Sequence, residues 1–268
     1  MYIDVVDTPK LHTCTPIKNT MTRTIAAVSL KGGSGKTSLV QNVAYELAQM
    51  GQRCLLLDLD QQANLTIGCG VDPGQGRPPI YAALDEPTTS APITVGDNLD
   101  LLASNLDLAE AEIRFGAHPD RNLKVRAIIK TIGDRYDYVW IDCPPGLDFY
   151  TVNALSAATE AIIPLQCHFY AYRMIDPVLS IIERAKTINE ALRLSAIVPT
   201  MFDSRNSLSV AVVEAARERF GDLVPQTVIP TNIAVVEASL DGQPVGVYAP
   251  QSTGAKAYRS LAAELYGA

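Results

Sequence analysis

Ser29-Leu30-Lys31-Gly32-Gly33-Ser34-Gly35-Lys36-Thr37-Ser38 joins an apolar run over 24–30 to a segment of helical pattern that starts at Lys36. In that segment Leu39, Val40, Val43, Ala44, Leu47 and Ala48 recur at helical spacing, and Gly51 supplies a stop. Strand, glycine-rich turn and helix together make a phosphate-binding loop. The glycines turn tightly and bare their N–H groups, and the helix adds its positive N-terminal end. Lys36 is placed to reach β/γ-phosphates and the Thr37 hydroxyl to meet Mg²⁺. The strict pattern G-x-x-x-x-G-K-[ST] asks for glycine at position 30, where this chain has Leu30. It carries instead an extra lysine, Lys31, ahead of the paired glycines.

Outward from the loop, 53–58 reads as a second buried strand, which completes a parallel βαβ unit and runs into Asp60-Gln61-Gln62-Ala63-Asn64. Side chains at i and i+2 of an extended segment share a face, so Asp58 and Asp60 point the same way. Two acids beside a nucleotide can divide labour between supporting a metal and orienting water. A third apolar run, 138–141, ends at Asp142, which suits a strand-end carboxylate that holds Mg²⁺ through water.

The rest of the chain keeps alternating. Helices are expected at 106–115, 122–132, 149–158, 175–192 and 208–220. Strands are expected at 100–103, 161–164, 195–198 and briefly at 228–229, before two closing helices. Residues 72–98, rich in Pro, Gly and Thr, read as a surface connection around one short helix. This alternation predicts an α/β fold, a doubly wound, mostly parallel sheet with helices on both faces and its site at the carboxyl ends of the strands. Residues 21–268 are expected to form a single domain. The polar stretch 1–20 reads either as a flexible leader or as lying upstream of a true start at Met21.

Composition narrows the classes. With 47% hydrophobic and 19% charged residues over 268 positions, the chain can bury a large core. A net charge of −7 excludes a globally basic nucleic-acid coat, though not a local basic patch. The five cysteines form no C-x-x-C pair and read as reduced thiols of a cytoplasmic protein. Trp140 reads as core, His168 as a surface or loop residue, and His12 and His118 as too remote in sequence for a metal cluster.

Taken together, the motifs resemble the ParA/MinD family of deviant Walker A, SIMIBI-class P-loop ATPases, and the short ParA/Soj partition ATPases most of all. Lys31 to Thr37 matches the family's loop, Leu57 to Asn64 its D-x-D-P-Q-x-N motif, and Tyr138 to Pro145 its Walker B and switch segment. Ser104 to Glu112, Pro164 to Cys167 and Gly254 to Tyr258 match as well. The resemblance implies an ATP- and Mg²⁺-dependent homodimer that grips DNA non-specifically on the nucleoid. A ParB-like partner would stimulate its slow hydrolysis. It gives Lys31 a reach across the dimer to the partner's phosphates. Backbone N–H groups from Gly32, Gly33, Ser34, Gly35, Lys36, Thr37 and Ser38 would cradle the nucleotide. Asp60 would position water, and Thr37, Asp58 and Asp142 would serve the metal. Met201, Pro230 and Asn232 lie in segments corresponding to adenine-side loops.

Three departures matter. Gln61 replaces the usual proline, and Gly146 stands where serine is common. Thr231 and Ala234 occupy positions at or near which many relatives carry DNA-binding arginines. The remaining candidates for DNA contact are Arg205, Arg217, Arg219, Lys256 and Arg259, with a solvated charged surface as the equal alternative. A ParA-like ATPase positioning a protein assembly is the runner-up. A MinD-like membrane regulator needs a basic amphipathic C-terminal helix, and 260–268 has no basic residue. No stable membrane anchor is therefore expected. An iron–sulfur reductase needs cysteines that Cys143 and Cys167 do not match, and a metabolic ligase or synthase fits the switch motifs poorly.

Overall fold

Burial on both faces of the central strands sets the architecture. The computed structural model describes residues 22–74 and 80–267. The leader, the start at Met21 and part of the 72–98 connection lie outside the described residues. The chain opens with β1 (Arg23–Ala27), α1 (Lys36–Gln49), β2 (Cys54–Asp58), α2 (Asn64–Gly68) and α3 (Ile80–Asp85). It continues through β3 (Ile93–Gly96), β4 (Leu99–Leu102), α4 (Leu108–Phe115), α5 (Lys124–Ile132), β5 (Tyr138–Asp142) and α6 (Phe149–Ala157). Next come β6 (Glu160–Gln166), α7 (Phe169–Arg173), α8 (Ile175–Ala185), β7 (Arg193–Thr200) and α9 (Ser207–Phe220). Helices α10 (Ile233–Leu240), α11 (Val245–Tyr248) and α12 (Thr253–Tyr266) close the described chain.

Among the described residues the strands form one 7-stranded sheet in the order β3-β4-β2-β5-β1-β6-β7, parallel except for the β3–β4 edge. On one face Ile25, Ala27, Leu56 and Trp140 pack against Leu39, Val43 and Leu47 of α1 and Tyr258 and Leu261 of α12. On the other, Ala26, Leu55, Leu57, Val139 and Ile141 pack against α3 to α6, α8 and α9. Burial on both faces explains why these strands read as continuous apolar runs. At the start of β1, Arg23 pairs with the buried Glu160 through Nε at 2.7 Å, and Arg193 joins the same carboxylate at 3.1 Å.

Four expectations need correction. Strand β3 stands where only a surface connection was expected. Its Ile93-Thr94-Val95-Gly96 alternates half-buried and exposed, and the turn into β4 places Asn98 at φ 57. Helix α8 stops at Ala185 rather than 192, because Asn189 turns back to donate to the Leu155 and Ala158 carbonyls. No strand forms at 228–229. Ile229 N–H bonds the Pro199 carbonyl, but Pro230, with no N–H, leaves one isolated bridge to Phe202. The closing segment holds three helices, broken at Gly242, which lies at φ 69.

Trp140 is fully buried, and its indole N–H has no partner among the described residues. Trp140→Ala should therefore lose about 3–5 kcal/mol in urea unfolding followed by circular dichroism. Trp140→Phe should lose only about 1–2 kcal/mol, since it keeps most of the ring and removes the unpaired donor. Equal losses would contradict this packing account.

Candidate nucleotide-binding site

Parallel pairing brings three strand ends level. Ala27 of β1 and Asp58 of β2 both register with Asp142 of β5. The turn after each strand therefore opens on the same rim. Asp58 is fully buried and already supplied with donors. Its Oδ2 accepts from the Thr66 N–H at 2.9 Å and the Thr66 hydroxyl at 2.8 Å, and its Oδ1 accepts from the Asp60 N–H at 3.1 Å. Ser104 braces the same turn, donating from its hydroxyl to the Asp60 carbonyl at 2.6 Å and from its N–H to Thr66 Oγ1 at 2.9 Å. Asp60 itself is half-buried, and its Oδ1 caps the Gln62 N–H at 2.9 Å. Asp142 Oδ2 accepts from the Thr37 hydroxyl at 2.6 Å, while its Oδ1 is buried without a partner among the described residues.

The loop after β1 is shaped by Gly33 at φ 73 and Gly35 at φ 89, conformations that side chains strain. Gly35 is the N-cap of α1, where no side chain caps the first N–H groups. Those groups stay free for an anion. Lys36 is buried, and among the described residues its ammonium donates to one side chain, Ser29 Oγ at 3.2 Å. Ser29 also donates to the Lys31 carbonyl at 3.0 Å and meets Ser34 Oγ at 2.8 Å, so this one hydroxyl organises both ends of the loop. Lys31 is exposed, with no side-chain partner among the described residues. Thr200 fastens the loop from β7 by donating to the Ser34 carbonyl at 2.9 Å.

Beyond Thr200 the segments 201–205 and 229–232 meet. Phe202 N–H bonds the Ile229 carbonyl, and Thr231 N–H bonds the Phe202 carbonyl, both at 3.0 Å. Met201, directly after Thr200, lies at φ 53, and Asn232 caps α10 by accepting from the Ala234 N–H at 2.9 Å. Most of the cations marked for DNA have other engagements. Arg205 pairs with Asp203, Arg219 with Asp176, and Arg259 with the buried Glu46, while Arg217 donates to the Pro225 and Gln226 carbonyls. Lys256 is exposed. Cys143 and Cys167 are buried, and burial pushes both thiols up, Cys167 to about 11. No helix among the described residues is long and apolar enough to cross a membrane.

Sequence reasoning placed the lysines and acids of this rim but gave no role to Ser29, Thr66, Ser104 or Thr200. Thr66 lies eight residues past Asp58, and only the turn into α2 brings it back. Ser104 lies in a segment that matches the family and comes two residues past β4, the neighbour of the strand that Asp58 ends.

Known proteins are similar to this chain in sequence and fold. The AAA_31 family, described as an AAA domain, matches residues 22–194. The chain is 35% identical over 249 residues to the sporulation initiation inhibitor protein Soj of Bacillus subtilis, covering 91% of this chain and 98% of that one. It is 39% identical to the chromosome partitioning protein ParA of Caulobacter vibrioides, covering 91% and 93%. The chain belongs to the ParA/Soj family of P-loop ATPases. A solved structure titled cobyrinic acid a,c-diamide synthase from Mycobacterium smegmatis, with bound ATP analog and magnesium, superposes on this family member with a TM-score of 0.80. Its sequence identity is 33%, over 90% of this chain and 92% of that one.

Burial, then repulsion from Asp58, raises the Asp142 carboxyl well above the ordinary range. Burial raises Asp58 too, opposed by its Thr66 and Asp60 donors. In this ParA/Soj protein, unfolded carboxyls ionise near pH 4 while the buried pair resists. Without ligand, stability should fall as pH rises from about 4 toward neutrality. Asp142→Asn removes the more strongly raised group and should flatten that fall, as measured by urea unfolding in EDTA from pH 4.5 to 8. An unchanged slope would contradict the assignment of strain to this pair.

Proposed function

We propose that the protein is an ATP-driven dimerising switch of the partition type, cytoplasmic and nucleoid-associated. Lys31 is the observation that carries the reading. Among the described residues it is an exposed ammonium with no side-chain partner, on the loop whose other lysine, Lys36, is buried against the Ser29 hydroxyl. A cation held outside its own loop is free to meet phosphate bound by a second copy, much as an arginine finger does.

The residues fit ATP and Mg²⁺. The loop N–H groups from Gly33 to Ser38 and the Lys36 ammonium would hold the β- and γ-phosphates. The Thr37 hydroxyl and Asp142, with its unpartnered Oδ1, would hold the cation, and Asp58 would support them by fixing the turn behind. Bound there, the cation would neutralise charge between the β- and γ-phosphates. Asp60, half-buried on a turn braced by Ser104, would orient the attacking water. Met201, Pro230 and Asn232 would line the adenine side. ATP would drive the switch only by favouring the closed dimer over the open monomer. A ParB-like partner would speed hydrolysis, and non-specific DNA would be the track.

The similar M. smegmatis cobyrinic acid a,c-diamide synthase raises an amide-forming alternative. That chemistry would require a carboxylate acceptor and a nitrogen donor for ATP turnover, whereas a switch turns over with water alone.

Asp60→Ala should retain ATP and accumulate as a dimer in sedimentation, with turnover lowered by about a hundredfold. Lys31→Gln should lower turnover by a similar factor while ATP affinity stays within a few-fold. An ATP-bound Asp60→Ala monomer with normal turnover would sink the switch reading. A salt titration of duplex DNA binding with ATP, ADP and no nucleotide checks the output. Binding that ignores nucleotide would count against DNA as the track.

A further inference from the structure

Helix α10 is turned the wrong way for a solvent-facing helix. Ile233, Val236, Glu237, Leu240 and Asp241 recur at i, i+3, i+4, i+7 and i+8, so they form one stripe. That stripe faces water: Ile233 is 76% exposed, Val236 61% and Leu240 83%. The opposite side is committed to the fold. Ala238 is buried, Ala234 and Val235 pack on the α1–α12 core, and Gly254 lets α12 approach Val235 closely. The helix therefore cannot roll its apolar residues inward. Nearby surface extends the patch. Ile67 of α2 is exposed, and its carbonyl adjoins Gly242 just past the end of α10.

Charge identifies what fits. No lysine or arginine occurs between Arg219 and Lys256, while Asp222, Glu237 and Asp241 do. The turn from α2 through Gly74 is also free of cations and carries Asp72. Phosphate surfaces, whether DNA or anionic lipid, are repelled by such a stripe. Apolar residues at helical spacing with acids interleaved on the same face suit a second helix, whose ridges they can interlock and whose cations they can meet. Three large apolar side chains on eight residues of helix, about 12 Å long, match two turns of such a partner.

We propose that the outer stripe of α10 docks a basic amphipathic helix of a partner protein. This stripe adjoins Thr231 and Ala234, at or near which many relatives carry DNA-binding arginines that this chain lacks. Its coupling to ATP rests on the switch reading, because the 229–232 segment that would flank adenine leads through the Asn232 cap directly into α10. The docking chemistry does not rest on that reading.

The test uses the full chain and two labelled 14-residue helical probes, one of leucine and lysine and one of leucine and glutamate, in fluorescence anisotropy at physiological salt. The lysine probe should bind, and Val236→Ser with Leu240→Ser should weaken it at least about tenfold. Glu237→Lys with Asp241→Lys should lose the lysine probe and gain the glutamate probe. All these residues are exposed, and circular dichroism checks that the variants stay folded. The proposal is overturned by no binding of the lysine probe at about 1 mM, or by binding that either double variant leaves unchanged. Binding of duplex DNA or phosphatidylglycerol vesicles that the serine pair abolishes would also overturn it. So would nucleotide-free self-association that the serine pair abolishes, since a second copy would then be the occupant. Stripe-dependent binding indifferent to ATP would overturn the coupling alone, leaving the docking supported and the switch reading to the Lys31 and Asp60 variants.

Discussion

Two carboxyl groups, Asp58 and Asp142, are buried on paired strands beside a buried ammonium, Lys36, and the rest of the rim is arranged around that electrostatic debt. Asp58 is satisfied from within by Thr66 and the Asp60 N–H. Asp142 is half satisfied by Thr37, with one oxygen left over. Among the described residues Lys36 has a single hydroxyl partner, Ser29. Burying charge with so little compensation is unfavourable unless a ligand completes it. An anion on the loop and a cation at Asp142 would supply what each lacks. The empty-handed atoms thus describe the ligand better than the filled ones.

The same economy explains the second lysine. Lys36 is fixed by burial and serves its own loop. Lys31, exposed on the same loop, has no role within the described fold. Its placement makes sense when a second copy brings phosphate to it. The loop conformation needs Gly33 and Gly35 at positive φ, and Thr200 ties it to the far side of the sheet. That tie joins the phosphate end to the 201–205 and 229–232 segments, and through Asn232 to α10.

What could be read in the sequence follows from locality. The phosphate loop, α1, and the acids at the ends of β2 and β5 are contiguous patterns, so their spacing declares them. Strand β3 escaped because only one of its faces is half-buried and its partner lies across a tight turn. Asn189 ends α8 by reaching carbonyls some thirty residues away, which no local pattern records. Thr66 and Ser104 brace Asp58 and Asp60 only because β2 and β4 are neighbours. The cations marked for DNA read as free in sequence. Arg219 and Arg259 find Asp176 and Glu46 only in the fold. At α10 the sequence shows the absence of arginines at Thr231 and Ala234 but not the apolar stripe beside them as a surface, because its exposure is set by what α12 already covers.

The central claim is that Lys31 acts on the nucleotide of a second copy. Mixing Lys31→Gln with Asp60→Ala in equal amounts tests it directly. A mixed dimer then holds one complete site, with Asp60 from the first variant and Lys31 from the second. Random pairing makes half the dimers mixed, so turnover should recover to about a quarter of wild type. No recovery on mixing would show that Lys31 serves its own loop and would contradict the account.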